Sequence, residues 1–333
     1  PPITPETWLP EGNLGAGSRV LQVGDWHPTL VPFRLHGGWQ TWEAHPVGDP
    51  TVYPAADYDV KIFADPSVVI AAPGERTDEG IIRHFRLERA RAFAFLASPH
   101  YQVVESSAAG LPVTSYFLPE HAAAGQAVLE IARQALSVYR HAYGPYPIQG
   151  LVIAENAYHG SMEYSGLISV SRTAYDRYRG SPRSMLVNLT AHEIAHQWWY
   201  HAVGNDQVRE PWLDEAFAKY SELLYYEAVA PELASWWWEQ QIHRVNTGGA
   251  VDATIYDFKS TQTYIRQVYT QGACFMDDLR ALMGDAQFFD FVQAYRSYGD
   301  GRLMTTEDFF AVLRTYTDEN LDPLIDRYFE NLK

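Results

Sequence analysis

The sequence predicts an α+β protein, with a β-rich segment over residues 1–104 and a mostly helical domain with a small sheet over residues 105–333. Three observations predict this. The first third reads as strands, with one alternating segment followed by short apolar runs punctuated by Pro and Gly. From Glu120 the apolar spacing lengthens to that of a helix. Beyond Ser184 helical spacing dominates, interrupted only by short glycine and proline breaks.

In chain order, residues 57–63 (Asp-Tyr-Asp-Val-Lys-Ile-Phe) alternate as a strand, and short apolar runs follow at 68–72, 93–97 and 101–104. Pro73-Gly74 and Gly110-Leu111-Pro112 punctuate them as turns. Val128, Ile131, Ala135 and Tyr139 share one side of a helix that should stop near Gly144-Pro145. Two further strand-like runs, 151–154 and 166–170, flank the segment 160–165. The helical remainder breaks at Gly204, Pro231, Gly248-Gly249, Gly284 and 299–301.

Composition narrows the function classes. A net charge of −16 argues against nucleic acid or an anionic membrane surface as partner, because both need a basic face. No apolar run is long enough to span a bilayer. Cys274 is the only cysteine, which excludes an internal disulfide and a multi-cysteine metal site, and it reads as a small core residue. The chain opens at Pro1 with neither an initiator Met nor a signal-like stretch. It is therefore expected to be a processed or cut form, soluble, and either cytoplasmic or exported with its targeting segment removed.

Residues 189–199 contain His192-Glu193-Ile194-Ala195-His196 within a helical pattern. Side chains at i and i+4 lie one above the other on a helix, so both imidazoles can reach one tetrahedral Zn2+. Glu193 is rotated off that face yet stays beside the metal, where it can take a proton from water. Two satisfied helix histidines would give the same pattern, so the third ligand decides. After eighteen intervening residues beyond His196 comes Glu215, in Trp212-Leu213-Asp214-Glu215-Ala216. Pro211 suits the start of a second helix, and Leu213, Ala216, Phe217, Tyr220 and Leu224 form its apolar stripe. Three ligands from two helices leave a fourth position open, the mark of a catalytic zinc. His201 is out of step with this spacing, and Asp214 reads as a local hydrogen-bonding residue.

The sequence resembles the aminopeptidase N family, gluzincin zinc metallopeptidases that include the leukotriene hydrolases. His192-Glu-Ile-Ala-His-Gln-Trp198 with Trp212-Leu-Asp-Glu215 is similar to the family's HExxHQW and WLxE pair. Gly160-Ser161-Met162-Glu163 is similar to its GxMEN exopeptidase signature, and Val268-Tyr269-Thr-Gln-Gly272 to the segment of its catalytic tyrosine. The resemblance implies a thermolysin-like, mostly helical catalytic domain preceded by part of a saddle-like β-domain. It implies that the chain lacks the start of that domain and most of a further helical one. It also implies one Zn2+ per chain and peptide substrates with a free N-terminus. Glu163 would bind the substrate α-amine, Gly160, Ser161 and Met162 would line the substrate strand, and Tyr269 would steady the oxyanion. Two departures stand out: Tyr164 replaces the Asn after the exopeptidase Glu, and Ala216 replaces the Gly after the third ligand. The expected activity is therefore removal of N-terminal residues from peptides. The alternatives are a thermolysin-type endopeptidase and a non-catalytic peptide-binding relative, with a hydrolase of lipid epoxides as a remote third.

Overall fold

The computed structural model describes residues 13–34, 37–49, 51–108, 110–245 and 248–332. Its strands are, in order, β1 (Leu14–Ala16), β2 (Leu21–Val23), β3 (Phe33–Arg34), β4 (Gly38–Trp39), β5 (Ala56–Phe63), β6 (Val69–Ala71), β7 (Glu75–Glu79) and β8 (Ile82–Ala90). They continue with β9 (Phe95–Ser98), β10 (Gln102–Ala108), β11 (Leu111–Phe117), β12 (Leu151–Glu155), β13 (Leu167–Val170), β14 (Gly204–Asn205) and β15 (Leu303–Met304). The helices are α1 (Ala122–Tyr143), α2 (Arg172–Arg177), α3 (Met185–Ala195), α4 (Trp212–Val229), α5 (Ala234–Trp237), α6 (Thr261–Tyr264), α7 (Gly272–Met283), α8 (Asp285–Gly299), α9 (Thr306–Leu313) and α10 (Asp322–Tyr328). None is long and apolar enough to cross a membrane.

The chain divides into two compact units. The first comprises residues 13–29, Ala55–Ser137 and Tyr146–Gln197. It holds an antiparallel sheet ordered β1-β2-β9-β6 and a three-stranded sheet ordered β5-β8-β7. Ile70, Phe85, Leu87 and Phe93 form the heart of its core, fed by every second residue of β8. A third sheet, ordered β10-β11-β12-β13, starts as an antiparallel hairpin and continues in parallel. The α1 helix is the crossover between the parallel strands β11 and β12. Residues 151–154 and 166–170 are thus paired strands, as their apolar runs predict, and β10 and β11 extend the sheet.

The second unit comprises the described residues of Leu30–Pro54, Val138–Pro145 and 198–332. It is helical except for the β3–β4 hairpin and a two-residue parallel pairing of β14 with β15. That pairing corrects the expectation of helix alone beyond Ser184. It joins positions about a hundred residues apart, and two-residue strands have no period to read. The α4 helix buries its expected stripe and its other sides besides. Every residue from Trp212 to Tyr226 is buried, with Trp199 stacked on Phe217 at a ring distance of 4.0 Å. A helix hydrophobic on one side only would meet water on the other, whereas here Asp214, Glu215, Lys219 and Glu222 are buried as well.

Candidate metal and peptide site

The Ser184 hydroxyl caps α3 by accepting the Val187 N–H. The helix packs on α2 and β13, and His192, Glu193 and His196 are all buried. It ends at His196, which occupies the C-cap with helical dihedrals. The two imidazoles face each other with ring centres 4.9 Å apart and Nε2 atoms 3.2 Å apart. Two nitrogens on a tetrahedral zinc, each about 2.0–2.1 Å from it, stand about 3.3 Å apart. The observed pair therefore has the spacing of one edge of such a shell. Glu215, the third expected ligand, is buried in the second unit. Two imidazoles and one carboxylate form the donor set of a catalytic zinc. The residues present thus fit the metal.

A buried group consists of Glu163, Glu193 and His196, with ligand atoms within 4.8 Å of one another. Glu163 reaches it from the segment before β13. Met162 forms an isolated bridge to Ser169, its N–H and C=O each making a 2.8 Å hydrogen bond. The Gly160 carbonyl accepts from Asn156 Nδ2 at 2.8 Å, and the Ser161 hydroxyl accepts the Ser171 N–H at 3.1 Å. Gly160 is exposed, with open space where a side chain would stand. Tyr164 is buried in the interior of the first unit. Its hydroxyl accepts from Gln22 Nε2 at 3.1 Å and fills the place that a side chain on Gly24 would take. The exchange of Asn for Tyr at this position is therefore absorbed by packing against the β2 segment.

In the second unit, Glu215 sits in the first turn of α4. Asp214 fixes this turn: its Oδ1 accepts the Glu215 N–H at 2.8 Å, and its Oδ2 accepts from Gln207 Nε2 at 2.9 Å. Tyr269 lies in a π-helical stretch, Ile265–Gln271, and donates its hydroxyl to Glu215 Oε1 at 2.5 Å. Burial, then the nearby Glu215 carboxylate, push its pKa well above the ordinary 10.0, so the hydroxyl keeps its proton and can donate. Single wide turns of this kind recur at functional sites, where they re-aim a side chain. Gly272 follows at the start of α7, and a side-chain carbon there would lie 2.5 Å from Ala216 Cβ. The extra methyl of Ala216 is accommodated because the facing residue is glycine.

Sequence reasoning marked His192, Glu193, His196, Glu215, Glu163 and Tyr269, and each is found beside at least one other of the set. It passed over Gln197 and Gly272, which stand inside the quoted motifs but act through contacts that no spacing reveals.

The sequence profile described as "Peptidase family M1 domain" matches residues 127–328. The chain belongs to peptidase family M1. It is 25% identical over 300 residues to human (Homo sapiens) endoplasmic reticulum aminopeptidase 2, an alignment covering 83% of this chain and 30% of that protein. It is 26% identical over 221 residues to aminopeptidase M1-B of Oryza sativa subsp. japonica, covering 60% and 25% respectively. This chain thus spans less than a third of the length of these curated relatives. Among solved structures, the M1 zinc metallopeptidase from Deinococcus radiodurans superposes with a TM-score of 0.68 at 18% identity, over 98% of this chain and 73% of that one.

Proposed function

We infer that the protein is a zinc-dependent aminopeptidase, and that residues 105–333 form its catalytic domain behind a β-rich segment at 1–104. The observation that carries this reading is the buried group of Glu163, Glu193 and His196 beside the 3.2 Å histidine pair. His192, His196 and Glu215 would hold one Zn2+, which when bound supplies a Lewis acid to polarise the scissile carbonyl and acidify water. Glu193 would take a proton from the attacking water and return it to the leaving amine. Tyr269, kept protonated, would donate its O–H to the oxyanion of the tetrahedral intermediate. Glu163 would bind the substrate's α-ammonium, which fixes the cut one residue from the N-terminus. Met162's backbone is already paired with Ser169, so pairing with an extended substrate falls to Gly160 and Ser161.

The test is hydrolysis of a panel of aminoacyl 4-nitroanilides beside N-acetylated peptides, with and without a chelator. The free-amine substrates should be cleaved, the blocked ones spared, and the chelator should stop turnover. Glu193→Gln should keep one zinc per chain by elemental analysis while losing hydrolysis. Near-normal turnover in that variant removes the proposed base, and equal cleavage of blocked peptides replaces the aminopeptidase with an endopeptidase.

A further inference from the structure

Gln197 follows the second histidine of the helix motif and is fully buried. Its carboxamide does not face the metal ligands. Oε1 accepts the Gly166 N–H at 2.8 Å, and Nε2 donates to the Tyr164 carbonyl at 3.2 Å, with the Glu163 carbonyl at 3.5 Å. These groups belong to one tight turn, closed by the Leu167 N–H donating to the Tyr164 carbonyl at 3.0 Å. Gly166 has a φ of +72°, a conformation cheap only for glycine. On the other side of Glu163, Met162 is bridged to Ser169. Glu163 is thus a single residue between two backbone fixings, one on β13 and one on Gln197. Through the peptide bond to His196, the second fixing is referred to the helix that carries the histidines.

We propose that Gln197 is a positioning residue that holds Glu163 in register with the histidine-bearing helix, so that its carboxylate meets the substrate's α-ammonium. This rests on the aminopeptidase reading. A carboxylate that recognises an ammonium must be held to within about 0.5 Å by its supporting shell. Without the carboxamide the buried Gly166 N–H loses its acceptor, and the turn must move to find another.

The experiment is a double-mutant cycle on the zinc-loaded enzyme, read with the best-cleaved aminoacyl 4-nitroanilide of the panel. Gln197→Met keeps the length and removes both hydrogen bonds, and it should raise KM on the order of tenfold, with a smaller fall in kcat. Gln197→Glu retains the acceptor for Gly166 N–H, gives an intermediate KM, and serves alone should the Met variant not fold. In a Glu163→Ala background either substitution should change KM by less than about twofold, because the group being positioned is gone. Zinc content should stay at one per chain throughout. Equal effects in both backgrounds, loss of zinc, or an unchanged KM in the single variant would overturn the positioning role. If Glu163→Ala by itself leaves KM for free-amine substrates unchanged, the amine-binding reading fails instead, whatever Gln197 does.

Discussion

Replacing Gly272 by alanine probes how the second unit sets Tyr269 against Glu215. The new methyl would lie 2.5 Å from Ala216 Cβ and 3.2 Å from Ala216 Cα. Carbon atoms in contact prefer about 3.5–4.0 Å, so α7 and α4 must separate by about 1 Å at this point. Overpacking of this kind costs about 1–3 kcal/mol, or a fall in Tm of roughly 1–4 °C. Tyr269 precedes Gly272 by three residues and holds Glu215 through a 2.5 Å hydrogen bond, which the same displacement stretches to its limit. A misplacement of about 1 Å should lower kcat about a hundredfold. Adding Ala216→Gly removes the atom at 2.5 Å and should recover most of the loss, less about 1 kcal/mol for a glycine in a helix. The assays are thermal unfolding and steady-state kinetics on both single variants and the double. A Gly272→Ala protein with native Tm and kcat, or a double variant no better than the single, would refute the reasoning.

Two further outcomes follow from the same geometry. Tyr269→Phe should reduce kcat by about 10²–10³ with zinc content intact, as expected for the loss of one oxyanion donor, and a change under threefold in single-turnover kinetics would exclude that role. Glu155 is fully buried, accepts the Leu118 N–H at 2.9 Å and pairs with His121 at 2.8 Å. Burial raises its pKa above the ordinary 4.5, with Leu118 and His121 pulling the other way. A folded-state pKa above the unfolded one contributes stability below about pH 4.5 that is lost as pH rises through the folded value. Glu155→Gln should therefore gain in Tm relative to the parent as pH rises from 4 to 7, and a constant difference across that window would contradict the shift.

What the sequence made legible followed from periodicity and motif. Residues 57–63 alternate and form β5, and the Val128–Tyr139 stripe forms α1, which stops at Tyr143 beside the expected Gly144. The i, i+4 histidines landed with their ring nitrogens facing because a helix dictates it. The illegible parts depend on partners distant in sequence. The strand β7 carries charge at four of its five positions and offers no alternation, so only pairing with β8 identifies it. The π-helical turn under Tyr269 has no periodic signature. Gln197 looked like part of a helix motif, yet its work lies in a turn about thirty residues earlier.

The burial of α4 on all sides from Trp212 to Tyr226 bears on how this scaffold can diversify. A rod with no wet flank cannot be retuned one position at a time, since each exchange along it disturbs a neighbour on some side. Novelty in what the proposed site accepts must enter elsewhere. The ribbon around Gly160, outward-facing and with vacant space beside its backbone, is a place where a side chain can be added without moving anything else.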